Sequence, residues 1–188
     1  MKKMLFTALS AAVLVSLPLA SHATTFQYNA TLNSANQVPS QASTAFGSAS
    51  LVYDDLGTAG LGDDLYSIFV SGAGLTGGKA TGYHIHQGSA AVNGPVKVFL
   101  DAASFTTLLN AGGALFVFGT NVPTPYAGFL SDLSANNAYV NIHNAGFPGG
   151  EIRGQLIAAV PEPSTYAMFG LGLGLMGLFA RRRAANSI

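Results

Sequence analysis

The middle of this 188-residue chain consists of short runs in which apolar and polar residues alternate. Alternation with period two is typical of β-strands that bury one face. Turn-forming Gly, Asn, Asp and Pro residues separate the runs, and one stretch, 101–110, is predicted to contain a helical turn that Asp101 caps. The spacing predicts an all-β fold, an antiparallel Greek-key-like β-sandwich or barrel. The predicted strands cover residues 26–32, 45–53, 65–71, 80–86, 96–100, 114–119, 126–130, 138–143 and 151–157.

The N-terminal segment has the pattern of an export signal. Two lysines precede an apolar stretch, which is followed by Ser21-His22-Ala23, with a small residue on each side of the histidine. This arrangement predicts a signal peptide over residues 1–23, cleaved after Ala23, with Ala20 as the alternative site. Residues 24–159 then form the exported β domain.

The C-terminal segment, residues 160–188, has three parts in sequence: a Pro-Glu-Pro turn, an apolar helix predicted over 166–180, and a basic tail at 181–183. Fifteen helical residues span about 22 Å, against roughly 30 Å of bilayer hydrocarbon. The length predicts a short transmembrane sorting helix, with an ordinary C-terminal anchor as the alternative. The residues that define the pattern are Pro161, Glu162, Pro163, Arg181, Arg182 and Arg183.

These three parts resemble the PEP-CTERM sorting signal of Gram-negative bacteria. The resemblance implies an exosortase-type sorting enzyme as a partner and a transient passage through the inner membrane. It also implies delivery to the cell surface or extracellular matrix, where exopolysaccharide or matrix proteins are the expected partners. Basic residues stay on the cytoplasmic side of a membrane, so residues 24–160 are expected to face the periplasm or the exterior.

The composition of the exported body excludes several functions. Residues 24–160 contain three basic and seven acidic residues, a net charge of −4. This body lacks the positive patch that nucleic-acid binding requires. The chain has no cysteine, which excludes disulfides, thiol catalysis and thiolate metal ligands. No nucleophile motif is present either, so no catalytic residue is assigned and the protein is not predicted to be an enzyme.

Three histidines remain after removal of the signal peptide, and strand parity brings them to one face. His84 and His86 are two residues apart on a predicted strand, so their side chains share a face. On the strand that ends at His143, Val140 and Ile142 take the opposite, core-facing side. If the two strands are neighbours, three imidazoles converge, a ligand set that suits copper or zinc. Hydrogen bonding to a neighbouring loop is the competing interpretation.

Glu151 and Arg153 stand two residues apart on the last predicted strand and are interpreted as a structural clamp. They can pair with each other or with the histidine strand, and a guanidinium can also hold a loop through its carbonyls. Ligand binding by the pair is the alternative.

Two sequence blocks resemble the CHRD (chordin-type) domain. The first is Gly-Tyr-His-Ile-His-Gln-Gly at 82–88, followed by Asn-Gly-Pro-Val at 93–96. The second is Ala-Tyr-Val-Asn-Ile-His at 138–143, followed by Phe-Pro-Gly-Gly-Glu-Ile-Arg-Gly-Gln-Leu at 147–156. The resemblance runs from about residue 26 to residue 157 and implies a family without implying an activity.

The His-x-His strand is also similar to that of copper–zinc superoxide dismutase, which is a Greek-key sandwich. Three departures oppose that enzyme: the cysteine pair is missing, the loop after His86 is short, and the histidines are too few for two metals. Two hypotheses therefore stand. The first is an exported structural or binding module of the surface or matrix, and the alternative is a histidine-ligated copper or zinc protein with a storage or redox function.

Overall fold

The computed structural model describes residues 23–58, 62–159 and 168–176. In these ranges the chain forms ten β-strands, one short α-helix (α1, Phe129–Ser134), a 3₁₀ turn at Ser34–Asn36 and a helical segment at 168–176. The strands are β1 Thr25–Asn33, β2 Phe46–Asp54, β3 Leu65–Ala73, β4 Gly82–Gln87, β5 Val96–Phe99, β6 Thr106–Ala111, β7 Ala114–Pro123, β8 Ala138–His143, β9 Ile152–Gln155 and β10 Ile157–Ala158.

All the strands belong to one antiparallel sheet, which curls into a half-barrel. The strand order is β5-β4-β8-β9-β1-β2-β3-β7-β6, with β10 beside β1. The curl brings the two ends of the sheet face to face over one apolar core. At Gly72 on β3, an added Cβ would lie 3.2 Å from Ile142 Cδ1 on β8, so the two halves pack closely. The predicted all-β antiparallel class is confirmed.

Alternation explains which side chains enter the core. In β1, Tyr28, Ala30 and Leu32 are buried, whereas Asn29 and Thr31 between them are exposed. The neighbouring strands β2 and β3 alternate in the same way and pair over their full length. Period-two patterning therefore determines the core face of this half of the sheet.

Strand β8 departs from simple alternation because both of its faces are covered. Val140 and Ile142 are fully buried in the apolar core, on the side predicted from parity. Tyr139 and Asn141 point to the other face, yet they are buried as well. Loops fold over that face, and Gln37 donates to the Asn141 side chain at 2.6 Å. The outer face of β8 is thus a second, polar interior.

Two local predictions are wrong. The predicted helical turn at 101–110 is a series of turns that leads into β6, because Thr106 and Thr107 pair with β7 and the Thr107 hydroxyl bonds the Tyr83 hydroxyl at 2.7 Å. The predicted strand at 126–130 is a turn followed by α1. Phe129 and Leu133, four residues apart, are buried on one face of this helix, and Asp132 N–H donates to the Gly128 carbonyl at 3.0 Å, the i to i−4 bond of an α-helix.

The sorting segment is described only in part. Residues 168–176 are helical and their side chains are exposed. Within the described ranges, no helix is both long and apolar enough to cross a bilayer. The predicted signal peptide up to residue 22, the Pro-Glu-Pro motif, the remainder of the predicted helix 166–180 and the basic tail 181–183 lie outside the described residues.

Candidate metal centre

The three histidines lie on two neighbouring strands near one edge of the sheet. Strands β4 and β8 pair antiparallel, with Gly82 opposite His143 and His84 opposite Asn141. Since Ile85 and Val140 point into the apolar core, the histidines occupy the outer face, beneath the covering loops. His86 is buried, and His84 and His143 are half-buried.

One nitrogen from each imidazole converges on a common point. The potential ligand atoms of His84, His86 and His143 all lie within 4.8 Å of one another. The ring centroids are 5.1 to 5.9 Å apart. His84 Nδ1, His86 Nε2 and His143 Nε2 are buried and accept or donate no hydrogen bond within the described part of the chain. Each of the three rings therefore has a buried nitrogen without a partner, and together the rings place one potential ligand atom each within one small volume.

Backbone carbonyls fix the tautomers of two of these rings. His86 Nδ1–H donates to the Gly94 carbonyl at 2.9 Å, and His143 Nδ1–H donates to the Pro148 carbonyl at 2.9 Å. A carbonyl accepts only, so each Nδ1 carries the proton and each Nε2 keeps a free lone pair. This outer hydrogen bond is the usual companion of a metal-ligating histidine.

The local electrostatics keep the imidazoles neutral. Burial lowers the pKa of His84 to about 4, and repulsion from the other two histidines adds to this, whereas Asp101 opposes it. Burial also lowers the pKa of His86 and of His143 below the ordinary value, although their carbonyl bonds oppose the shift. Neutral imidazole is the form that binds a metal, so the site is ready for a cation near neutral pH.

The donor set fits copper or zinc. Three neutral nitrogens suit both ions and leave coordination positions for water or another ligand. No carboxylate or thiolate joins the cluster among the described residues. Calcium and magnesium prefer oxygen ligands and do not fit this set.

Arg153 lies behind the histidine cluster and holds the loop between β4 and β5. Its guanidinium donates to the Ser89 carbonyl at 2.7 Å, the Val92 carbonyl at 3.0 Å and Asn93 Oδ1 at 3.2 Å. The guanidinium carbon also stands 3.4 Å from the centroid of the Tyr139 ring. Burial lowers the pKa of Arg153.

Glu151 has a separate set of partners and precedes β9, so it does not share a strand face with Arg153. It is fully buried and accepts from the Ser43 hydroxyl at 2.6 Å, from the Thr76 hydroxyl at 2.6 Å and backbone N–H, and from the Asn144 amide. Glu151 therefore bonds the segments around residues 43, 76 and 144. Neither residue lines the point where the imidazoles converge, and the two do not contact each other.

Two glycines contribute to the centre in a way that the sequence patterns did not indicate. A Cβ at Gly82 would lie 3.0 Å from His84 Cε1, so this glycine makes room for the His84 ring. A Cβ at Gly94 would collide with the Gln87 carbonyl, so the absence of a side chain lets Gly94 lie close to Gln87. In this position the Gly94 carbonyl accepts from His86 Nδ1–H. The Asn-Gly-Pro turn signal marked Gly94 as a loop residue without indicating this contact.

The fold and the cluster define the class: an all-β antiparallel domain with a candidate three-histidine metal centre on its outer face. Residues 28–156 match the CHRD domain, and the chain belongs to that family. Residues 159–183 match the PEP-CTERM protein-sorting motif. This motif implies export, membrane-associated sorting in Gram-negative bacteria and processing by an exosortase-type system. No curated protein and no solved structure gives a significant match to the chain.

Proposed function

We propose that this protein is an exported, exosortase-sorted surface protein whose CHRD domain binds one copper or zinc ion through His84, His86 and His143. The observation that carries the proposal is the convergence of three buried imidazole nitrogens that have no hydrogen-bond partner. An unsatisfied buried polar group costs about 1–3 kcal/mol, so three at one point are a substantial penalty in the metal-free protein. A bound cation removes that penalty by using all three lone pairs.

The geometry around the ligands supports the same function. Two of the three rings are oriented by backbone carbonyls, and the whole set lies away from the apolar core. With three protein ligands, an ion keeps an open position, which suits storage, transfer or redox chemistry. The ligand set contains only neutral groups, so the bound centre keeps the full positive charge of the ion.

Metal content tests the proposal. The exported protein, purified without a histidine tag and stripped with a chelator, is dialysed against zinc or copper(II), and bound metal is measured by mass spectrometry. One equivalent is expected for the unaltered protein, and a large loss of affinity is expected for His86→Ala and His143→Ala. Asp101→Asn is the matched control, because Asp101 influences His84 electrostatically without joining the ligand cluster. Absence of stoichiometric metal at neutral pH would exclude the metal centre.

A second candidate function is binding of surface or matrix material, and one surface feature favours it. An open groove of about 640 Å³ lies on the outer face of β1, β2 and β3. Its lining is uncharged and combines amide and hydroxyl groups with the exposed ring of Phe69, a combination that suits neutral polysaccharide. The lining includes Asn29, Thr31, Asn36, Ser48, Ser50, Phe69, Gln155 and Ile157.

Affinity electrophoresis against extracellular polysaccharide isolated from the host tests this second function. Retardation of the protein is expected, and Phe69→Ala is expected to reduce it. Val52→Ala is the control, since Val52 is similarly exposed on β2 but outside the groove. Equal mobility with and without polysaccharide would remove this candidate and leave the metal centre unaffected.

A further inference from the structure

The three imidazoles of the centre are held very unequally. His86 and His143 each donate Nδ1–H to a backbone carbonyl at 2.9 Å. No described residue forms a hydrogen bond with the His84 side chain, and Nδ1 of this ring is buried without a partner. The cluster therefore contains two anchored rings and one ring without an anchor.

His86 is fixed most firmly, because two groups contact its ring and Arg153 supports both of them. The Gly94 carbonyl accepts its proton, and the Tyr139 ring stacks on it with centroids 4.8 Å apart and planes 13° apart. Tyr139 in turn accepts from Gly94 N–H through its hydroxyl at 3.1 Å. Arg153 holds the loop on which Gly94 lies and also contacts Tyr139. A rotation of His86 would disturb all of these contacts.

Among the described residues, the His84 ring has other rings as neighbours but no hydrogen-bond partner. Phe99 meets it edge-on, with centroids 5.0 Å apart and planes at 78°, and Phe99 is itself 56% exposed. Strand β5, which carries Phe99, is an edge strand of the sheet. On the other side lies Gly82, which presents no side chain to the ring. His84 is therefore the candidate ligand that no hydrogen bond anchors and that lies beside an edge strand of the sheet.

We propose that His84 is the exchangeable ligand of the centre, through which the ion is received and handed on to a nitrogen donor of the imidazole class. This inference rests on the proposed metal-binding function. In the exchange, the bond from the ion to the ligating nitrogen of His84 breaks and a bond from the ion to the incoming nitrogen forms. The lone pair of that bond stays on the His84 nitrogen, and the oxidation state of the ion does not change. His86 and His143 keep the ion in place during the step.

Zinc release to a chromogenic chelator measures the exchange in the full-length protein. Free imidazole is the probe for the incoming donor. For the unaltered protein, we expect the release rate to rise in proportion to the imidazole concentration. Phe99→Ala removes the ring that packs on His84 from the edge strand β5, so we expect release roughly tenfold faster at unchanged stoichiometry. Leu109→Ala, an exposed apolar residue on the distant edge strand β6, is the control and should leave the rate unchanged.

Imidazole rescue provides the second measurement. In His84→Ala, we expect zinc affinity to fall roughly 100-fold and free imidazole to restore most of it, because His84 is only half-buried and has no hydrogen bond that the imidazole would have to replace. In His86→Ala and His143→Ala, we expect no comparable rescue, since free imidazole is not held in place by the strand and the backbone carbonyl that orient each of these rings. Equal rescue of all three variants, or a release rate independent of imidazole, would overturn the inference while the metal site stands. No zinc binding by the unaltered protein would overturn both the site and the exchange.

Discussion

Arg153 and Tyr139 lie face to face, with the guanidinium carbon 3.4 Å from the centre of the phenol ring. The contact joins β9 to β8 on the outer face of the sheet, where the histidines also lie. Tyr139 stacks on His86, and Arg153 also holds the loop that supplies the Gly94 carbonyl. The buried guanidinium of Arg153 thus supports both groups that orient His86, the Tyr139 ring and the Gly94 carbonyl.

Replacement of Arg153 by Met tests this support. We expect a loss of about 3–5 kcal/mol in the free energy of unfolding, because three loop acceptors lose their donor and part of the loop is left without a hydrogen-bonded partner. We also expect roughly tenfold weaker zinc binding, since the Gly94 carbonyl is no longer held in place. Urea denaturation and metal titration measure the two effects. Lys79→Met, at an exposed lysine, is the control, and equal stability of the two variants would contradict the role of Arg153.

Replacement of Glu151 by Gln retains the shape of the side chain but replaces one of its two acceptor oxygens with an NH₂ donor. Ser43, Thr76 and Asn144 all donate to this fully buried carboxylate, and an amide nitrogen in its place would face a donor. We expect a loss of about 1–3 kcal/mol in the free energy of unfolding. Urea denaturation measures it, with Asp101→Asn at an exposed carboxylate as the comparison. Metal stoichiometry should not change, because Glu151 is not in the ligand cluster.

Replacement of Val140 or Ile142 by Asp tests the orientation of β8. Both side chains are fully buried, so either carboxylate would enter the apolar core without a partner. We expect destabilisation of several kcal/mol, on the order of 4 or more. Val52→Asp is the matched control, since Val52 is 39% exposed on the outer face of β2. Retention of stability in either β8 variant would mean that the strand is turned the other way.

Acid should destabilise the metal-free protein through its histidines. Burial lowers the pKa of His84 to about 4 from 6.5 and lowers the pKa of His86 and His143 as well. As pH falls below about 6.5, the unfolded chain takes up protons before the folded chain does, so stability falls with pH down to about 4. Urea midpoints across this range should decrease, and a triple His→Gln variant should show a shallower decrease. Urea midpoints that rise on acidification would contradict the inference that the three histidines are neutral in the folded protein.

Processing at both ends is expected in the native host. The N-terminal signal predicts a mature protein that starts near Thr24, and the sorting motif predicts an end near Pro161–Pro163. Intact-mass measurement of the exported protein checks both ends. A mature form that still contains Arg181, Arg182 and Arg183 would contradict removal of the sorting tail and favour a simple membrane anchor.

Much of the fold could be predicted from local patterns, and the exceptions have physical causes. The alternation in β1, β2 and β3 was sufficient because each strand has one covered face. The predicted helical turn at 101–110 failed because pairing with β7 overrode local turn and capping signals. The predicted strand at 126–130 failed because a short apolar run is compatible with either period, and this segment forms helical backbone hydrogen bonds, such as Asp132 N–H to the Gly128 carbonyl, instead of pairing with a strand.

The sequence alone determined the class of fold, the C-terminal sorting motif and the face of each strand on which the histidines stand. It could do so because strand parity and signal patterns are local properties of the chain. Only the tertiary structure decided that β4 and β8 are neighbours, that His86 and His143 each donate to a carbonyl, and that His84 does not. These contacts join residues on different strands and loops. Their geometry depends on how the whole sheet curls and how its loops close over it, which no local pattern encodes.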